Sequence, residues 1–326
     1  MNNNKTPWVR LLAALFTFAL VAAACGSGSD DASTDTEAPA DSTDDTTAED
    51  DAMDDDDAME DDDHSDDDAM EDDDSMDDDA MEDGALPDLE GRNVTVGVEN
   101  AYLPFNYIAV GSDEGEGWDY DAWNEICRLL NCTAEFVAAG WPDVIDQVAQ
   151  GELDTAADGI SITAEREEIV AFSQPYMVVQ QKFIVGLEDD RYATADDIIN
   201  GDAIVATQVG TSNFELAESL LGGTDRIQAF DQFGLAVQAL IAGDVDAVII
   251  DDAAGLGYIG ENADAVRTLD GDLQSDPLGF IYPLDSDLVD PVNMALEEMK
   301  DSGFLDTIGE KFFGVGFTIT YDDIEG

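Results

Sequence analysis

Between Asp30 and Glu90 the chain holds 32 acidic residues and no lysine or arginine. A loose repeat built on "DAMEDDD" runs from Asp51 to Asp83 within that stretch. It has too little apolar surface to offset the entropy of ordering its backbone, so residues 25–90 read as an acidic, disordered tether. Self-repulsion extends such a segment, to a contour of roughly 200 Å at about 3.3 Å per residue. A calcium-loop reading lacks the D-x-[DN]-x-[DN]-G spacing, so a solvated spacer is the expectation. A compact fold is therefore confined to the residues from Gly91 onward.

At the start, Lys5 and Arg10 precede the apolar run "LLAALFTFALVAAA", Leu11 to Ala24. The run is shorter than the roughly 20 residues a spanning helix needs, and reads as a secretory signal over residues 1–24. Cys25 after Ala22-Ala23-Ala24 resembles a bacterial lipobox, although Ala22 stands where leucine is more usual. That resemblance implies a lipid on Cys25 and a mature chain tethered outside the cytoplasm, in a periplasm or on the outer face of the membrane. An ordinary signal peptide with an incidental cysteine is the alternative.

From Gly91 onward 46 acids face nine bases. A surface so negative argues against nucleic acid as a partner. The single histidine, His64, lies in the acidic repeat. The folded part therefore has no imidazole for a catalytic triad, a histidine metal site or a general base. Cys127 and Cys132 remain. In an oxidising compartment they form either a disulfide or two buried thiols, and spacing alone leaves both open.

Hydropathy periods predict two successive strand–helix alternations. "NVTVGV", "TAEFVA" and "DTAADGI" read as strands, separated by the helices "YDAWNEICRLL" and "PDVIDQVAQG". After the extended run "MVVQQKFIVG" the pattern restarts. Strands "AIVATQ", "RIQAF" and "DAVII" alternate with helices "NFELAESLL", "FGLAVQALIAG" and "AAGLGYI", and two further helices close the chain. This pattern predicts an α/β fold of two lobes with parallel-rich sheets, whose ligands sit at the carboxyl ends of strands.

Those ends carry a coherent set of groups. Glu99 and Tyr102 follow the first strand, Trp141 precedes a helix, and "DGISITAER" places Asp158, Gly159, Ser161 and Arg166 after the third. "TQVGTS" leads from Gln208 to Thr211 and Ser212 at a helix start, and Asp251 ends a strand. A guanidinium and a helix N-terminus suit a carboxylate, an aspartate suits an ammonium, and aromatic rings wall a small body. Each has a plainer reading: a surface ion pair for Arg166, a packing role for Trp141, a helix cap for Asp251, a solvated face for Glu99.

The order and spacing of "GVENAYLPF", "DGISITAER", "FSQPY", "VGTS", "DVDAVIID" and "EKFFG" resemble the extracellular solute-binding proteins of polar amino-acid ABC transporters, over Gly91 to Gly314. The similar group includes glutamine-, histidine- and lysine-arginine-ornithine-binding proteins. The resemblance implies a type II periplasmic-binding-protein architecture. One lobe would comprise residues 91–179 plus 276–326 and the other 180–275, with hinge crossovers near Tyr176–Gln180 and Gln274–Phe280. It implies that Arg166 grips an α-carboxylate with help from Gly159, Ser161, Thr211 and Ser212, and that Asp251 holds the α-ammonium. Tyr102 and Trp141 would sandwich the side chain, with Glu99, Asp158 and Gln208 at its far end. Asp158 stands where some relatives have a small residue, which with Glu99 points to a cationic ligand; a neutral polar one is the alternative. The implied partners are the amino acid and the permease subunits, with a monomeric protein and no cofactor or metal. A cyclohexadienyl or arogenate dehydratase on the same fold is the enzymatic alternative.

Overall fold

A computed structural model describes residues 85–314, 316–319 and 323–324. The signal segment, Cys25 and the acidic stretch to residue 84 lie outside the described residues. Two mixed sheets organise the rest. The first runs in the order Thr133–Ala138, Asn93–Val98, Thr155–Ala156, Ile281–Tyr282, Ala171–Phe172. Its first three strands are parallel and Ile281–Tyr282 enters antiparallel. The second sheet sets Ile227–Phe230, Val205–Gln208 and Ala247–Asp251 parallel, as strand–helix–strand connections require. The long strand Met177–Gly186 pairs antiparallel with Ala247–Asp251, Val266–Thr268 and Gln274–Leu278. The molecule is thus an α/β protein of two lobes.

The chain passes between the sheets twice, along Met177–Gly186 and back along Gln274–Leu278. These two strands are hydrogen-bonded to each other, Leu278 opposite Met177 and Gln274 opposite Gln181. An aromatic cluster fixes their roots to the first lobe. Tyr176 stacks on Trp118 at 4.6 Å between centroids, and Phe280 lies 4.6 Å from Tyr176 and 5.3 Å from Trp123.

The helix Trp118–Leu130 buries Ala122, Trp123, Ile126 and Leu130 of the stripe its apolar spacing predicts, leaves Leu129 half-buried, and adds Trp118. It ends at Asn131 in the left-handed region, φ 53°, whose N–H returns to the Cys127 carbonyl. Cys127 and Cys132 are joined by a disulfide at that end. The two C-terminal helices, Val289–Asp301 and Phe304–Phe313, pack on this helix.

Two local expectations change. "DTAADGI" forms a ladder only over Thr155–Ala156, because the chain leaves the sheet and turns at Gly159, φ +56°. A small antiparallel sheet, Ala101–Tyr102, Asn106–Ile108 and Gly115–Glu116, was not legible as strands. Its segments are too short for a period to register.

Candidate functional site

The carboxyl ends of both sheets face one cavity. All eleven residues singled out in sequence line it: Glu99, Tyr102, Trp141, Asp158, Gly159, Ser161 and Arg166 from the first lobe, and Gln208, Thr211, Ser212 and Asp251 from the second. Asn213 and Phe233 complete the wall and were missed. Phe233 lies just beyond the strand Ile227–Phe230, so the strand-end rule applied there would have found it. Asn213 extends the polar run "GTSN" that opens the helix Ser212–Leu221.

Arg166 is only 7% exposed and stands in no ion pair among the described residues. Arg92, Arg128, Lys182, Arg191 and Lys311 all do pair. Two Arg166 N–H groups are anchored instead on backbone carbonyls, Nη1 on Ser161 at 2.9 Å and Nη2 on Gly210 at 3.3 Å. Its guanidinium lies 5.1 Å from the Trp141 ring centroid. Burial lowers its pKa, opposed by the charges of Glu215, Asp251 and Asp276. The surface ion-pair reading of Arg166 does not survive this geometry.

Asp251 ends the strand Ala247–Asp251 and occupies the N-cap position of the next helix, yet its side chain makes no cap hydrogen bond. Its carboxylate accepts from the Tyr102 hydroxyl at 2.8 Å and from Asn213 Nδ2 at 3.0 Å. Burial raises its pKa to about 6 against those two hydrogen bonds. Thr211, by contrast, does cap its own helix: Oγ1 accepts from the Phe214 N–H at 3.1 Å and fixes the N-terminus of Ser212–Leu221.

Other contacts join the two lobes around the cavity. Ser161 Oγ and Ser212 Oγ lie 3.0 Å apart, Gln208 Nε2 donates to Glu99 Oε1 at 2.9 Å, and Trp141 Nε1 donates to the Val209 carbonyl at 3.1 Å. Tyr102 stacks against Phe105 at 5.2 Å and Phe233 at 5.8 Å. Gly159 is required where it stands: its φ is +56°, and a Cβ there would lie 2.7 Å from the Tyr102 ring.

The remaining polar wall is acidic. Asp158 is 4% exposed, and burial raises its pKa to about 7, opposed by Asn106 and the Glu99 backbone N–H. Burial and the neighbouring Asp158 charge raise Glu99 to about 8, against the hydrogen bond from Gln208. Behind them lies fully buried Asp119, whose pKa burial also raises. Asn106 Nδ2 links two of these acids, reaching Asp158 Oδ1 at 2.7 Å and Asp119 Oδ2 at 3.0 Å.

Comparison with known proteins points the same way. A model of the bacterial extracellular solute-binding proteins, family 3, matches residues 94–315. A probable histidine-binding protein of Campylobacter jejuni is 26% identical over 224 residues, covering 67% of this chain and 83% of the relative. The crystal structure of the arginine-, lysine-, histidine-binding protein ArtJ from Geobacillus stearothermophilus superposes with a TM-score of 0.64 at 29% identity. That match covers 68% of this chain and 96% of the other. An ancestral amino acid-binding protein, AncCDT-1, a precursor of cyclohexadienyl dehydratase, gives 0.62 at 30% identity, over 68% of this chain and 95% of its own. Matched over most of its folded length, this chain belongs to the bacterial extracellular solute-binding proteins of family 3.

Proposed function

We propose that the chain is the extracytoplasmic receptor of an amino-acid ABC importer and holds one polar α-amino acid between its lobes. The observation that carries this is the buried, ion-pair-free Arg166 in the same cavity as the buried carboxylate of Asp251. A guanidinium and a carboxylate in one small cavity complement an α-carboxylate and an α-ammonium. Thr211 and Ser212 add the N-terminus of a ten-residue helix on the carboxylate side. Ser161 and Gly159 add contacts from the loop that carries Arg166. Tyr102 and Trp141 wall the ligand's body, while Glu99, Asp158 and Gln208 meet its side-chain end. The amino-acid-binding relatives support the same reading.

Ligand capture proceeds by closure of residues 180–275 onto 91–179 plus 276–326, hinged on the paired strands Met177–Gly186 and Gln274–Leu278. The closed receptor, a monomer tethered through a lipid on Cys25 and the acidic spacer, presents both lobes to the permease subunits. No cofactor or metal enters this scheme. Calorimetric titration of solute-free protein with each L-amino acid tests it. Saturable binding of at least one is expected, and absence of binding by all would overturn the reading.

Catalysis is the rival reading, favoured by one observation. Burial raises the Glu99 and Asp158 carboxyls to about 8 and about 7, the range that suits a general acid. Incubation with prephenate and with arogenate separates the two. Both should be recovered unchanged, whereas loss of carbon dioxide and water would make the protein a dehydratase.

A further inference from the structure

The side-chain end of the cavity has an uncompensated electrostatic character. Asp158 is only 4% exposed and lines the cavity, and beyond the nearby Glu99 backbone N–H no protein donor serves its Oδ2. Its other oxygen is held firmly. Asn106 Nδ2 donates to Oδ1 at 2.7 Å, and Asn106 is itself fully buried and fixed by the Asn100 N–H on its Oδ1 at 2.6 Å. The free oxygen is therefore aimed by a rigid support. Glu99 shares that wall, with one oxygen on Gln208 Nε2. No basic residue among the described ones forms an ion pair with Glu99, Asp158 or Asp119.

A buried acceptor with no side-chain donor, beside a second carboxylate and in front of a third, is costly unless a donor or a positive charge arrives. We propose that this end of the cavity takes the cationic side chain of the bound amino acid, a guanidinium or an ammonium, between Asp158 Oδ2 and Glu99, with Asn106 as the positioning residue. The inference rests on the amino-acid reading above and adds the ligand's charge class. Burial supports it from another side. Both carboxyls hold their protons to unusually high pH, so an arriving cation displaces protons rather than a counter-charge of the protein. A neutral side chain would leave Asp158 Oδ2 dependent on a retained proton or water.

The test uses the folded chain and calorimetry with L-arginine, L-lysine and L-glutamine, on wild type, Asp158→Asn and Glu99→Gln. Arginine or lysine is expected to bind wild type at least about tenfold more tightly than glutamine, the two cations reporting guanidinium against ammonium. In Asp158→Asn that preference should fall by roughly tenfold or more. Glu99→Gln, at the less buried of the two carboxyls, guards against a folding failure at Asp158 and should reduce the preference in the same direction. Tighter binding of glutamine by wild type, or a preference unmoved in both variants, overturns the cation site while leaving an amino-acid receptor. Binding of none of the natural L-amino acids overturns the receptor reading instead.

Discussion

The Tyr102 hydroxyl donates to Asp251 Oδ2 at 2.8 Å, joining residues 149 positions apart across the cleft between the lobes. The bond does two things. It spans the cavity from the loop after Asn93–Val98 to the end of Ala247–Asp251, and it orients a carboxylate whose other oxygen is held by Asn213. Tyr102→Phe keeps the ring stack on Phe105 and Phe233 but removes this donor. A hydrogen bond to a charged group contributes about 1.5–3 kcal/mol, so the melting temperature of the ligand-free protein should fall by a few degrees, and amino-acid affinity should fall roughly tenfold or more as the Asp251 carboxylate loses its orientation. Calorimetry paired with thermal melts checks this. Unchanged affinity would separate Asp251 orientation from binding.

Arg166→Lys replaces a planar, two-pronged donor by a point charge that cannot hold Ser161 O and Gly210 O while facing a ligand. Affinity should drop by roughly 30-fold or more, about 2 kcal/mol, while the fold persists. The stack on Trp141 is lost as well, so tryptophan fluorescence reports the substitution directly. Wild-type affinity in this variant would refute the carboxylate clamp.

Gly159→Ala tests the loop that carries Arg166. Its backbone, φ +56°, is strained for any L side chain, and the added methyl would lie 2.7 Å from Tyr102 Cε1. Relief requires Tyr102 to move, which breaks its bond to Asp251. A stability loss of about 1–3 kcal/mol is expected, read as a fall of a few degrees in melting temperature at this size. Ligand affinity should fall with it. A variant that melts and binds as wild type would show that the loop relaxes without disturbing Tyr102.

Much of this was legible because strands and helices differ in period and because ligands collect at strand carboxyl ends. Glu99, Gln208 and Asp251 lie at or next to the ends of Asn93–Val98, Val205–Gln208 and Ala247–Asp251, and so could be selected by position alone. What stayed hidden depends on tertiary contact. Phe233 reads as the first apolar residue of a buried helix, and only the fold turns its ring onto Tyr102. Asn106 and Asp119 carry no sequence signal of a shared role, yet they form the support behind Asp158. Asp251 next to Asp252 reads as a helix cap, and only the arrival of Tyr102 and Asn213 diverts its carboxylate. Local sequence marks where a side chain starts. It does not mark which distant side chain meets it.

The acidic wall also predicts how stability moves with pH. Burial raises Glu99 to about 8, Asp158 to about 7 and Asp251 to about 6, each above the ordinary carboxyl value near 4. A group that holds its proton more tightly when folded stabilises fully below its unfolded pKa and loses that contribution as pH rises through its folded one. The protein without ligand should therefore lose stability between about pH 4 and pH 8. Asp88, Asp154, Asp189 and Asp197, whose hydrogen bonds lower their pKa, act in the opposite sense as pH falls, so the informative quantity is the difference between wild type and Asp158→Asn, whose slope should be shallower between about pH 4 and pH 7. A bound cation reverses the local effect, because it favours the deprotonated pair and is itself held more tightly as they ionise. The rise in melting temperature produced by L-arginine should thus grow from about pH 5 to pH 8 in wild type and grow less in Asp158→Asn. Thermal melts at fixed ionic strength, with and without arginine, measure both slopes. Parallel slopes in the two proteins would show that Asp158 does not exchange its proton for the ligand's charge.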